Sequence, residues 1–267
     1  MDMTNYFSGE NLYGDNYTIE EIIQWYKEEE EAYADMYGKD VSDNTYSHHL
    51  DILFGYKYIP VREHNIYNAL GFGSSWGYEL LPVINRIENI HIIDSSDQTV
   101  SKKLGNKVPK YIKATVSGKI DIPDETFDLI TCFSVLHHIP NVTFVVSELF
   151  RVLQKGGYLL LREPINSMGD WRNNREGLTK HERGIPPQYL KNIILSHKCE
   201  IIKLTYHHFI YSFLNRKLHS PKFLDSKWYL KFDRILSELF IWNFHYHPKN
   251  YLQRIAPGCA YYVIRKP

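Results

Sequence analysis

From Asn65 onward, short apolar runs alternate with amphipathic stretches, the pattern of a sheet whose strands are joined by helices. Runs at 66–70, 90–94, 110–115, 127–133 and 157–163 read as strands, with helices at 76–87, around 96–104 and at 141–153. Pro109, Pro123 and Pro140 punctuate the connections. A polar loop follows Glu163-Pro164 as far as Gly184, then a helix from Pro186-Pro187 to Ser196 and a strand at 199–206. Residues 207–256 are aromatic and basic, with helical patches at 209–218 and 228–242, and the run at 259–264 reads as a last strand.

Upstream, the period becomes helical. Residues 1–17 read as irregular. Thr18 and Glu21 form a capping box that opens a helix to about Tyr37, with an apolar stripe of Ile19, Ile22, Tyr26, Tyr33 and Tyr37 and with Gly38 as its stop. The acidic run 28–31 reads as its solvated face. A second short pattern (Tyr46, Leu50, Leu53, Phe54) ends before Pro60. The expected organisation is a helical N-terminal extension over 1–60, a core over 61–206, an aromatic helical insertion over 207–256 and the last strand in 257–267. The extension either covers a ligand as a lid or packs without touching one.

Lys+Arg and Asp+Glu balance at 31 each, so no global field draws the chain to nucleic acid or to anionic lipid. Cys132, Cys199 and Cys259 form no CxxC pair, which argues against a disulfide frame or a thiolate zinc site. No apolar run approaches the ~18 residues of a membrane span, and the N-terminus lacks a signal pattern; a cytoplasmic enzyme is the expectation. Aromatic residues reach 15%, with 21 tyrosines. That excess suits a sugar or aromatic ligand or an interface such as a homodimer contact, and equally an aromatic-rich core.

The chemistry starts at Gly71-Phe72-Gly73-Ser74-Ser75, which joins the first strand to the next helix, while Asp94 closes the second strand. Glycines let backbone approach a ligand, a helix N-terminus offers free N–H groups, and an acid at that distance accepts from ribose hydroxyls. The unit reads as a nucleotide site. Alone it does not separate a nicotinamide dinucleotide from an adenosyl ligand.

The segment IDIPDETFDLITCFSVLHHIPNVTFVVSELFRVLQKGGYLLLREP, residues 120–164, resembles class I S-adenosylmethionine-dependent methyltransferases. The resemblance covers about 66–165 and extends to the strands at 199–206 and 259–265. It implies a Rossmann-like α/β sheet, mostly parallel with an antiparallel last strand, and S-adenosyl-L-methionine as cofactor. By that resemblance Gly71, Phe72, Gly73, Ser74 and Ser75 wrap the methionine part and Asp94, with Ser95, holds the ribose. Ser117 and Gly118 meet the adenine, and Cys132, Phe133 and Ser134 face cofactor and substrate. The chain departs from the family pattern in Ala69, where an acid is usual, in Ser75, where a third glycine is usual, and in Val116-Ser117 after the third strand.

Methyl transfer to a hydroxyl needs in-line alignment, a dry site and a base. His137 and His138, just after the fourth strand, are the first candidates for that base, against packing or capping of the next helix. Glu163 is the alternative, against a role in binding loop backbone; His181 and Glu182 rank third. His245 and His247 would share a face of a strand, but no acid or cysteine completes a metal site there. The adjacent pairs His48-His49 and His207-His208 point apart on a strand, so no metal is expected. Arg172, Arg175, Lys180 and Arg183 make a basic loop, solvated or meeting a phosphorylated or nucleotide-linked substrate. The stretch 240–246 is core, interface or pocket lining. The expected activity is O-methylation of a small-molecule or saccharide-precursor acceptor, with a lean toward polysaccharide biosynthesis. The alternatives are a catalytically silent binding protein and an NADP-linked oxidoreductase.

Overall fold

The computed structural model describes residues 3–36, 46, 48–60, 66–95, 103–214 and 225–267. The strands are β1 (Ile66–Phe72), β2 (Ile87–Asp94), β3 (Lys110–Lys113), β4 (Phe127–Phe133), β5 (Leu153–Pro164), β6 (Glu200–His207) and β7 (Cys259–Arg265). They form one sheet in the order β3-β2-β1-β4-β5-β7-β6. The first five are parallel, and β7 runs antiparallel to both β5 and β6. Strand order reverses between β1 and β4, which opens a crevice at their C-terminal ends where α/β sheets bind ligands.

Alternate strand residues feed two buried layers, as a sheet covered on both faces requires. Leu70, Phe72, Ile130 and Cys132 pack with α4 (Val142–Val152) and α5 (Pro187–Ser196). Ala69, Leu129, Leu160 and Tyr261 pack with α3 (His48–Phe54), the segment 78–86 and α7 (Lys227–Phe240). A buried ion pair, Asp51 to Arg162 at 3.1 Å, ties α3 to β5. On its outer side α7 leaves Trp228, Phe232, Ile235 and Leu239 exposed.

Several expectations need correcting. The helix expected at 76–87 is a 3-10 segment, Tyr78–Arg86, because Pro82 lies inside it and removes a donor. Residues 1–17 contain a short helix, α1 (Thr4–Ser8). In α2 (Ile19–Met36) the capping box forms, with Thr18 N donating to Glu21 at 2.8 Å. Its buried face, however, is Ile22, Trp25 and Glu29, while Ile19 is exposed. Of the helix expected around 96–104, residues 96–102 lie outside the described residues, and Leu104 instead bridges Lys107. Tyr37, Gly38 and 215–218 also lie outside them. Among the described residues no helix is long and apolar enough to cross a membrane.

Part of the aromatic content holds the N-terminal segment down. Tyr13 stacks on Trp171 at 5.1 Å, Phe7 on His247 at 4.0 Å and Trp25 on His181 at 4.3 Å. Trp25 is 1% exposed, its indole donates to the His138 carbonyl at 2.8 Å, and the Arg183 guanidinium lies over its ring. Trp25→Ala is expected to destabilise the fold by about 3–5 kcal/mol, the usual cost of a large buried ring. Urea unfolding checks this; a loss within 1 kcal/mol would mean that α2 is not anchored there.

Candidate active site

The turn after β1 is tightly wound. Gly73, Ser75 and Gly77 all have positive φ (64°, 49° and 74°). Ser75 thus adopts a conformation that glycine takes more readily. Gly73 N donates to the Ile93 carbonyl (2.7 Å) and Ser75 N to the Asp94 carboxylate (2.8 Å), so the turn is laced to the end of β2. A Cβ at Gly73 would stand 2.5 Å from both methyls of Val135, and one at Gly71 would stand 2.5 Å from the Ser74 hydroxyl. Both glycines are required sterically.

Beneath this turn lies a residue the sequence reading missed. Glu79 is 5% exposed, accepts from the Thr131 hydroxyl at 3.1 Å and would lie 2.8 Å from a Cβ at Gly71. It brings a carboxylate to the turn from the first residues of the 3-10 segment, while Ala69 offers none. Burial pushes the Glu79 carboxyl up to about 7, against hydrogen bonds from Ser74 and Thr131 and with the Asp51 charge adding to the rise. An acid in the apolar run YELLPVI was the only signal in the sequence.

Beside the turn a cleft of about 40 Å³ opens between Phe72, Ile93, Ile112, Gly118 and Ile120, with Tyr26 of α2 in its wall. Its apolar faces suit a flat ring, though as it stands it is too small for a purine. Gly118 has φ 78° and Asn141 donates to the Ser117 carbonyl at 2.8 Å, which fixes the expected adenine loop. Ser95 is exposed beside Asp94. Cys132 departs from expectation: it is fully enclosed in the core and cannot reach a ligand, and burial pushes its thiol well up. Phe133 is half-buried, against Tyr261 and the Arg162 guanidinium.

The candidate bases converge. Glu163 is completely buried and accepts from Val135 N (2.9 Å), Leu136 N (2.9 Å), His137 N (3.3 Å) and His137 Nδ1 (2.8 Å). Its carboxylate is occupied, so the expectation of Glu163 as a base is corrected to a carboxylate that fixes the loop. An acceptor so surrounded by donors requires the proton on His137 Nδ1, leaving the lone pair on Nε2. That nitrogen faces Glu182 Oε1 at 3.7 Å. His138 stacks beside His137 at 4.0 Å and meets Glu29 at 3.4 Å. Burial, then the neighbouring His137, lower the His138 pKa against the pull of Glu29.

Two more expectations change here. Glu28 and Glu29 are not a solvated face. Glu28 takes His181 Nε2 at 2.5 Å and Lys180 at 2.7 Å, and Glu29 takes His181 N at 2.8 Å. Burial opposes ionisation of both, yet these hydrogen bonds win and bring Glu28 down to about 2 and Glu29 below its ordinary value. Nor is the loop after β5 a basic patch. Arg183 is fully buried and donates to the carbonyls of Tyr13, Leu136, His137, Ile139 and Pro140. Arg175 binds four carbonyls, Arg172 pairs with Asp170 and Lys180 pairs with Glu28. His245 and His247 sit in a loop on separate partners, Asn243 and Ser167, rather than on one strand face. Of the stretch 240–246, Tyr246 is core, while Ile241, Phe244 and His245 line an open groove of about 640 Å³ with Phe7 and Pro186.

With this geometry in view, residues 69–161 match the family model described as a methyltransferase domain. Solved structures share the fold. One is a putative methyltransferase from Bacillus halodurans C-125, at TM-score 0.51 and 18% identity over 79% of this chain and 97% of that one. Another is an S-adenosylmethionine-dependent methyltransferase from Mesorhizobium loti, at 0.51 and 11% over 77% and 93%. A third is the cyclase SpnF, at 0.50 and 17% over 85% of each. No curated protein sequence matches. A methyltransferase domain implies S-adenosylmethionine as the methyl donor.

The Glu79 environment has a consequence for stability. Between its ordinary value of 4.5 and about 7, the folded chain keeps a proton that the unfolded chain has lost. Stability therefore falls as pH rises through that window. From pH 5 to pH 8 the wild type is expected to lose about 2.5 kcal/mol relative to Glu79→Gln. Urea unfolding of both at the two pH values checks this; parallel pH slopes would show that Glu79 is not the group responsible.

Proposed function

Taking residues 69–161 as a class I S-adenosylmethionine-dependent methyltransferase domain, we propose that this protein O-methylates a small-molecule hydroxyl, with His137 as the base that Glu163 orients. The observation that carries this reading is the Glu163–His137 contact of 2.8 Å in the loop whose Val135 packs on Gly73. Base and glycine turn are thereby held by one short segment.

The residues fit the donor. Gly71 and Gly73 leave no room for side chains where backbone must approach a ligand, Asp94 closes β2 as a ribose acceptor, and the cleft by Phe72, Ile112 and Gly118 offers apolar walls. Gly73, Ser74 and Asp94 would hold the methionine and ribose parts, and Ser117 and Gly118 would flank the adenine. When bound, S-adenosylmethionine supplies an electrophilic methyl group on a sulfonium. For the chain's own part, His137 Nε2 removes the acceptor's proton, Glu163 stabilises the resulting imidazolium, and α2 with the loop 179–183 keeps water out. We assign the covering role to the extension over 1–60 and, with it, the insertion over 207–256. The lean toward a saccharide-linked acceptor rested partly on a basic loop, and the buried arginines remove that support.

A second reading, ligand binding without transfer, is favoured by the departures in the glycine turn: Ala69 offers no carboxylate, and Ser75 stands at φ 49° where the family pattern has a glycine. The cyclase SpnF is similar in fold, and one fold hosts unrelated chemistries.

Calorimetry with S-adenosylhomocysteine and a mass-based transfer assay on sugars, phenols and amines separate the readings. Asp94→Ala is expected to weaken S-adenosylhomocysteine at least 10-fold. His137→Ala is expected to lower the rate roughly 10²-fold or more while leaving donor binding unchanged. An unaltered rate in His137→Ala would remove the base assignment. Donor binding with no methylated product would favour the second reading.

A further inference from the structure

Strand β6 ends at His207, whose register partner on β7 is Cys259. The next residue, His208, has φ 65°, so the strand does not continue. On a regular strand two adjacent histidines would point to opposite faces; the left-handed turn instead brings their rings to 4.7 Å. One ligand atom each from His207, His208 and Cys259 lie within 4.8 Å of one another. His207 is 1% exposed, and among the described residues neither of its ring nitrogens has a hydrogen-bond partner. A buried imidazole in that state leaves a donor and an acceptor unsatisfied, a cost that folded proteins rarely carry without a ligand.

We propose that His207, His208 and Cys259 bind a zinc ion. Two imidazoles and a thiolate are a soft-to-borderline donor set suited to Zn²⁺. Bonds of about 2.0–2.1 Å to nitrogen and 2.3 Å to sulfur place tetrahedral ligands roughly 3.3–3.8 Å apart, so the present spacing closes with small rotations. The surroundings are built to hold the three. Asp233 of α7, 2% exposed, accepts from His208 N at 2.7 Å and Ile210 N at 2.8 Å, fixing the turn that carries His208. Cys259 also pairs with Pro164 at the end of β5. The ion would join β6, β7 and the start of the insertion beside the strand that carries Glu163. Burial holds the Cys259 thiol up at about 12, and burial with the nearby His208 and Arg162 charges holds the His207 imidazole well below its usual range. Binding releases the thiol proton to solvent as the S–Zn bond forms. The other close trio, His137, His138 and Glu182, is already engaged by Glu163 and Glu29.

The test uses the full chain, stripped with chelator, confirmed folded by circular dichroism, and titrated with Zn²⁺ or Co²⁺ alone. The expected result is one equivalent of zinc per chain by elemental analysis and a thiolate-to-cobalt charge-transfer band. Both are expected to persist in His138→Ala, and in Cys259→Ser the band is lost and cobalt affinity drops at least 100-fold. Folded wild type that takes up no zinc and shows no band overturns the proposal. So does a band that survives Cys259→Ser or disappears in His138→Ala.

Discussion

The Glu163 carboxylate is the interaction on which the site depends. A charge buried without partners is prohibitively costly, and here it is met by three backbone N–H groups and one imidazole of the same short loop. Removing one partner of such a buried arrangement costs about 3–5 kcal/mol, so the loop after β4 has essentially one conformation. That conformation sets Val135 against Gly73, aims His137 Nε2 toward Glu182 and presents the carbonyls of Leu136 and His137 to Arg183. The seat of Val135 against the glycine turn and the aim of the His137 ring both follow from one carboxylate.

Over this loop lies a second polar layer that attaches the N-terminal helix. Arg183 collects carbonyls from both sides, Tyr13 on the extension and 136–140 on the core. Glu28 and Glu29 reach from α2 to His181 and His138. Because both carboxyls are held below their ordinary values, this attachment is present above about pH 4.5 and is lost as acid protonates them. Tyr26, on the same helix, stands in the wall of the cleft beside the glycine turn. The helix held by these contacts thus also lines the cleft.

The sheet was legible because its signals are local: apolar runs with proline and glycine boundaries, and Thr18 with Glu21 as a cap. The glycine turn and the place of Asp94 at the end of β2 also followed from position at strand ends, while the contact of His137 with Glu163 did not. What could not be read depends on partners far along the chain. Nothing local shows which glutamate of 28–31 turns inward, since the reason is His181 and His138. Glu79 looked like one polar residue of a helix, and only the fold brings it under Gly71. Arg183 looked solvated because its five acceptors are backbone atoms. The joining of His207 with His208 turns on one positive φ that the sequence does not announce.

The account stands most directly on where an adenosyl ligand sits. Diffraction from crystals grown with S-adenosylhomocysteine would show this. The prediction is ribose hydroxyls on Asp94, adenine between Phe72, Ile112 and Gly118 with Tyr26 swung aside, and the sulfur on the side of the turn that faces His137. A ligand bound elsewhere, or an adenosyl group with its sulfur directed away from His137, would contradict it.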